Sequence, residues 1–296
     1  MAFSKFINKW SGYFFILPGL LFMIFFLVFP IFYNFLLSFQ NVTLLNLNGE
    51  HAFVGFANYV TIVSDGTFAV SFQNSVIFTF LCIVFQFCIG FALALYFNRK
   101  FPGRDFMRSI LLLAWMLPTV ITATLFKWMM AGDYGVVNYF LQSLGILDKP
   151  IYWLTEAKTA LYGTIIANIW IGVPFNMVIL LAGLQSLPEH LYEAAKIDGA
   201  GRFRQFVNIT LPLLRPTILI LLMLGIIYTF KVFDLVLIMT GGGPVNASTL
   251  LPIYAYKLAF TQYDLSLGAT VASIMFMILV AIAMVYLWFM RKEEQL

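Results

Sequence analysis

Charge is scarce in this chain. Asp, Glu, Lys and Arg make up 10% of its 296 residues, and apolar residues make up 62%. A soluble domain of this length needs a charged surface, so the composition excludes that class and fits a polytopic membrane protein. The net charge of +4 is too modest to mark a nucleic-acid surface, and no nucleic-acid partner is expected. Cys82 and Cys88 lie in one apolar run but on different faces of a helix. They cannot pair with each other and read as packing residues. His51 and His190 stand far apart without a ligand cluster, so no metal site is expected. No Gly-x-x-x-x-Gly-Lys-Ser/Thr phosphate loop is present, and Gly199-Ala200-Gly201 does not complete a dinucleotide fingerprint. No His-Glu-x-x-His occurs, and no Ser, His and Asp set points to a hydrolase. The chain therefore reads as a non-enzyme without a cofactor, whose energy comes from a partner or an ion gradient. Internal repeats, low-complexity tracts and a soluble domain are absent as well.

What the sequence does have is long apolar runs. A bilayer core takes about 20 apolar residues per helix. Runs of that kind lie at about 12–39, 72–97, 106–130, 160–184, 213–240 and 266–290. Pro118 is expected to kink the third, and Asn168, Gly172, Pro174 and Asn176 to interrupt the fourth. The first follows Lys5 and Lys9. It is too long for a signal-peptide core and lacks a small-residue cleavage site, so it reads as a retained span. A cytoplasmic N-terminus puts Lys5, Lys9, Arg99, Lys100, Arg104, Arg108, Lys196, Arg202, Arg204, Arg215, Arg291 and Lys292 inside. It leaves Lys127, Lys149, Lys158, Lys231 and Lys257 outside. Twelve of the 17 basic residues, with every arginine, then face the cytoplasm. That bias predicts a multi-pass protein of the plasma or inner membrane with both termini cytoplasmic. The expectation is an all-α chain forming a single transmembrane domain over 1–296, with a core at about 70–290. The first helix can stand apart from the other five. The outer loops, with Val54-Gly55-Phe56-Ala57-Asn58-Tyr59, Gly132-Asp133-Tyr134-Gly135, Tyr152-Trp153-Leu154 and Gly241-Gly242-Gly243-Pro244, carry the aromatic residues of a membrane-interface belt.

The most polar stretch between spans runs from Glu193 to Pro216, within a loop at about 185–215. Pro188 suits the first turn of a short helix. Leu191, Ala194, Ala195 and Asp198 fall near one helical face. Gly199 and Gly201 suit a helix stop and a sharp turn. The residues Glu193-Ala194-Ala195, Asp198-Gly199-Ala200 and Ile209-x-Leu211-Pro212 match in order and spacing the EAA loop of permease subunits of bacterial ATP-binding-cassette importers, and the chain resembles that family. The resemblance implies that Glu193, Ala194, Ala195, Asp198, Gly199 and Ala200 form a coupling helix seated in a groove of a separate ATPase. Read from the residues alone, an interfacial amphipathic helix is the alternative, although such helices set a basic face over an apolar one.

The fifth run holds Tyr228-Thr229-Phe230-Lys231-Val232-Phe233-Asp234. Ionisable groups inside a span are costly and face protein or water. Lys231 and Asp234, three apart, can pair with each other on one helix face, or line a solute path. The run from Phe230 to Pro244 is similar to the carbohydrate-uptake branch of the importer permeases, which implies a sugar or sugar-like solute. A sugar site combines amides and acids with flat apolar faces. Asn74, Asn168, Asn176, Tyr228, Phe230, Phe233 and Asp234 are the candidates, with helix packing as the alternative role for each. The basic turn Asn98-Arg99-Lys100-Phe101-Pro102-Gly103-Arg104 resembles the family's loop before the third helix and reads as a topology determinant. The family resemblance further implies a second, related but unlike permease subunit, two copies of an ATP-binding subunit, an extracytoplasmic solute-binding protein and transport by alternating access. A secondary transporter driven by an ion gradient would also use several spans and an intramembrane Asp, but leaves the EAA loop without a role and calls for half-chain symmetry that is not seen. A membrane scaffold or receptor subunit is a third reading, separated from both by whether solute crosses.

Overall fold

The computed structural model describes residue 13 and residues 15–293. Lys5 and Lys9, read as cytoplasmic, lie outside the described residues, as does the expected start of the first span at residue 12. In chain order the helices are α1 (Phe15–Ser38), α2 (Ala57–Ser64), α3 (Gly66–Phe97), α4 (Arg104–Met116), α5 (Thr119–Met129), α6 (Val136–Ser143), α7 (Ala160–Gln185), α8 (Glu189–Ile197), α9 (Arg202–Phe230), α10 (Asp234–Met239), α11 (Leu251–Tyr256) and α12 (Leu265–Glu293). No β-strand forms among the described residues. α1, α3, α7, α9 and α12 are each long and apolar enough to cross a bilayer. α4 and α5 add a sixth crossing as a bent pair. A bilayer interior offers no water to backbone polar groups, so helices that satisfy them internally are the available form.

The third, fourth and fifth spans depart from expectation. The third is broken rather than kinked: α4 and α5 meet at 94°. Leu117 is extended at φ −67°, ψ 137°, because a residue before proline is barred from the helical region. The fourth is not interrupted at all. α7 runs through Pro174, where the Asn176 amide donates to the Gly172 carbonyl at 2.9 Å. The fifth begins earlier, at Arg202, and its helix stops at Phe230, before Lys231. Two prolines, Pro30 within α1 and Pro212 near the start of α9, follow π turns. Ile24–Val28 precedes Pro30 and Phe206–Thr210 precedes Pro212. A wider turn relieves the clash of each proline ring with the carbonyl four residues back.

The chain divides into two compact units. The first takes the described residues to Asp65 together with Ala255–Phe276. Here Asn34 Nδ2 donates to the Ala269 carbonyl at 3.2 Å and to Ser273 Oγ at 3.0 Å. The Val54–Tyr59 run folds back on the end of α1. Gly55 takes φ +59°, and Asn58 Nδ2 donates to the carbonyls of Ser38 and Gln40 at 2.9 and 2.8 Å. Tyr59 OH shares a 2.8 Å hydrogen bond with Ser38 Oγ. The carbonyls that a helix end leaves open thus find side chains.

The second unit takes Gly66–Tyr254 and the described residues from Met277 onward. Its centre is the seam between α3 and α7. A Cβ on Gly90 would sit 2.6 Å from Asn176 Cβ, and one on Gly172 would sit 2.3 Å from Gln86 Cδ. Small residues let membrane helices approach this closely, where no difference in hydrophobicity pulls them together. Phe97, Leu180, Leu184 and Leu214 are buried at one end of the seam, and Phe78, Leu161, Ile165 and Leu235 at the other. Just beyond the basic turn after α3, Arg108 of α4 donates to the Phe97 carbonyl at the C-terminus of α3 and to Asp105, a use of a basic side chain at a helix end.

Replacing Gly90 with Val should destabilise the purified protein by about 1–3 kcal/mol through overpacking. Gly225→Ala, whose added Cβ meets nothing nearer than Ile83 Cγ1 at 3.8 Å, should be neutral. Unfolding of both variants in detergent micelles checks this, and equal stability for Gly90→Val would remove the seam from its central place.

Candidate functional site

α8 is a short helix with a firm stop. Pro188 stands at its N-cap position in an extended conformation. At the other end the Ala200 amide donates to the Ala195 carbonyl at 2.8 Å and the Gly199 amide to the Lys196 carbonyl at 3.1 Å. Gly199 has φ +74°. This is the Schellman arrangement, and it needs a residue without a Cβ penalty at Gly199. Gln205 Nε2 then donates to the Ala200 carbonyl at 2.8 Å, and Tyr192 OH meets Thr210 Oγ1 at 2.9 Å. The loop is therefore a compact knob fastened to the first turns of α9. Glu193, Ala194 and Asp198 are exposed, and Ala195 and Ala200 are half-buried. Ile197 and Phe203 are 87% and 80% exposed. Neither was singled out from the sequence, although apolar residues within a polar loop are a readable signal. Together they give the knob a bare apolar surface beside its acids.

Part-way along α3 and α7, at mid-depth of the helices, the second unit has a half-open cavity of about 830 Å³. Gln86 of α3, Asn168 and Asn176 of α7, and Tyr228 of α9 contribute to its wall. So do Lys231, Phe233 and Asp234, at the break between α9 and α10. Five of the seven solute-path candidates thus come together. Phe230 does not: its side chain is buried, 4% exposed, away from this wall. Asn74 does not either. Its amide donates to the carbonyls of Asn246, Ala247 and Thr249 at 3.1–3.2 Å, pinning the loop that follows α10. Gln86, Trp115 and Phe175 line the cavity and were not singled out. An amide standing alone in the later half of α3, amid apolar residues, was the available signal for Gln86. The expected ion pair between Lys231 and Asp234 is not made. The helix ends before Lys231, so the three-residue spacing no longer places both on one face. Lys231 Nζ lies instead over the Tyr228 ring, 5.0 Å from its centroid.

The cavity therefore presents side-chain amides, a carboxylate, an ammonium and aromatic faces. That set is chemically suited to polar solutes rich in hydroxyls. Among the described residues no group of His, Cys, Asp and Glu stands close enough to hold a metal.

Several apolar crossings, a polar cavity at mid-depth and a capped loop standing outside the bundle define a polytopic membrane permease of the importer type. Residues 86–292 match the binding-protein-dependent transport system inner membrane component family, and the chain belongs to that family. It is 36% identical over 277 residues to the trehalose/maltose transport system permease protein MalF of Thermococcus litoralis, covering 93% of this chain and 92% of that one. It is also 36% identical over 242 residues to the sulfoquinovosyl glycerol transport system permease protein SmoG of Agrobacterium fabrum, covering 82% and 78%. Among solved structures, a bacterial alginate ABC transporter in complex with an alginate pentasaccharide-bound periplasmic protein aligns at a TM-score of 0.81 and 25% identity, over 95% of this chain and 94% of that one.

Replacing Gly199 with Val forces a β-branched residue into the left-handed region, at about 1–2 kcal/mol. Amide exchange at Asp198–Ala200 should then speed up about ten-fold, the factor that about 1.4 kcal/mol corresponds to. Gly201 is extended, at φ −67° and ψ 166°, and a Cβ there meets nothing. Exchange in Gly201→Val should match that of the native chain.

Proposed function

We propose that this chain is one membrane-spanning subunit of an ATP-driven importer and moves a sugar by alternating access. The capped α8 knob carries this reading. It is rigid, it projects from the spans, and it bears Glu193, Asp198, Ile197 and Phe203 uncovered. A loop that transmits force to a second protein needs those properties. The chain holds no phosphate loop, so ATP hydrolysis falls to two copies of a separate ATP-binding subunit whose grooves receive such knobs. Glu193 and Asp198 can accept hydrogen bonds from arginines or backbone amides there. A second, related but unlike permease subunit completes the path, and an extracytoplasmic solute-binding protein delivers the solute. Both termini and the knob then face the cytoplasm, in agreement with the arginine bias.

The sugar class is supported by the relatives. One is named for trehalose and maltose, another for sulfoquinovosyl glycerol, and the structural neighbour for alginate. The cavity agrees chemically. Gln86, Asn168 and Asn176 offer amides to hydroxyls, while Tyr228 and Phe233 offer ring faces to the C–H side of a pyranose.

The test is ATPase activity of the chain reconstituted in lipid with its ATP-binding subunit, partner permease and solute-binding protein, scanned over a panel of sugars. One sugar should stimulate hydrolysis, and only when the solute-binding protein is present. Glu193→Ala should insert normally yet reduce stimulation about ten-fold or more, the effect of losing a charge-assisted hydrogen bond of about 1.5–3 kcal/mol. Full stimulation in that variant would remove the coupling role. Uptake that follows a proton or sodium gradient without ATP would overturn the importer reading.

A further inference from the structure

A second cavity, of about 700 Å³, lies beyond the N-terminal end of α7, the end opposite the α8 knob. It is built on one buried amide. Asn138, on α6, is 3% exposed. Its Nδ2 donates to the carbonyls of Gly132 and Ile151 at 2.9 and 2.8 Å. Its Oδ1 accepts from the Ile151 amide at 3.3 Å and from Trp153 Nε1 at 2.9 Å. A buried amide used this fully holds two loop segments in one register. Gly132 then lets the Tyr152 ring lie against the backbone, since a Cβ there would be 2.2 Å from the ring. Tyr152 OH donates to Asp133 Oδ1 at 2.9 Å. The carboxylate holds that phenol above its ordinary range, first by accepting a hydrogen bond from it and then by opposing a phenolate charge, so the bond persists at neutral pH.

This arrangement orients Asp133 and leaves half of it unused. Oδ2 has no hydrogen-bond partner among the described residues. Tyr134 lines the same cavity with its ring 77% exposed, and Thr155 adds a hydroxyl. The far wall is α10. That helix gives Asp234 and Leu235 to the mid-depth cavity and Leu237, Ile238 and Met239 to this one. It is bounded by the non-helical Lys231–Phe233 on one side, and on the other by Gly241 and Gly242, at φ +62° and +85°. Lys127 Nζ fastens its last turn by donating to the Ile238 carbonyl at 3.0 Å.

We infer that this cavity is a second saccharide subsite, where Asp133 accepts sugar hydroxyls and Tyr134 supports a ring face, with α10 as the partition between it and the mid-depth cavity. The inference rests on the sugar-importer reading. A fixed carboxylate oxygen beside an open aromatic face suits a polyol, and the volume falls in the range of small-molecule sites. The shared wall gives the subsite a place next to the transport path. Seating a protein loop is the competing use, and the test separates the two.

The experiment uses the full chain in lipid nanodiscs, without other subunits, with maltotriose and an alginate trisaccharide as probes in saturation-transfer NMR. The Asp133→Asn/Tyr134→Ala variant keeps an acceptor for Tyr152 OH but removes the free carboxylate oxygen and the ring. Gln86→Leu alters the mid-depth cavity and the α3–α7 seam behind it, and no residue that lines the second cavity. At least one probe should show two binding components. The double variant should weaken one of them ten-fold or more and Gln86→Leu the other. Unchanged binding in the double variant would overturn the subsite and leave the importer reading standing. So would a double variant that binds sugar normally in the nanodisc and, in a separate pull-down, loses association with the solute-binding protein. Failure of both probes to bind the native chain would also overturn it. The importer reading fails by a different result, the absence of sugar-stimulated ATPase activity in the complete assembly.

Discussion

The second unit depends on how closely α3 and α7 approach. In lipid, burying one apolar helix face against another gains little, because the hydrocarbon around it is equally apolar. Association must come from short-range packing and from polar groups that find partners. Gly90 and Gly172 supply the closeness. Gln86 supplies the polar contact, with Nε2 donating to the Asn168 carbonyl at 2.8 Å. The same amide that ties the helices also stands in the cavity wall. Structure and site thus share one residue, and a substitution there alters both. The seam cannot be optimised for packing alone without changing the surface a solute meets.

Asparagine carries much of what charged residues carry in a soluble protein. Two salt bridges, both to Asp105, form among the described residues. Asn58 gathers the carbonyls at the end of α1, Asn74 those of the loop after α10, and Asn138 the outer loop around Gly132. A neutral amide can be buried at modest cost once its donors and acceptors are used, whereas an ion in the same place would need a matched partner. Asn58 and Asn74 each join a connecting segment to a span, and Asn138 joins two loop segments to each other. That chemistry holds these loops in place without ion pairs.

The same fact shows where the sequence could be read and where it could not. Spans were legible because about 20 apolar residues have few other fates, and the α8 stop was legible because Gly199 acts within its own turn. The cavity was partly legible. Asn168, Asn176, Tyr228, Phe233 and Asp234 meet there, but nothing in the sequence separates an amide that faces solute from one that holds a loop. Asn74 is of the second kind. The breaks were the hardest features. Pro118 signalled one without its angle, and the stop at Lys231 has neither glycine nor proline to announce it. It depends on packing around α10, which is tertiary information. Pro174 erred the other way, since α7 continues past a residue that would break an isolated helix.

These features combine into a mechanical path for the proposed function. α9 runs unbroken from Arg202, beside the knob, to Phe230, and Leu224, Gly225, Tyr228 and Thr229 near its end line the cavity. Its 29 residues span about 44 Å at about 1.5 Å per residue. It contains Pro216 and, near its start, the π turn at Phe206–Thr210, both places where a helix bends. The Tyr192–Thr210 hydrogen bond ties the end of that turn to α8. At the far end the helix stops at Phe230, and the chain continues through three non-helical residues into the short α10. Under the proposed function, the change of shape that alternating access requires would fall at this break in the cavity wall.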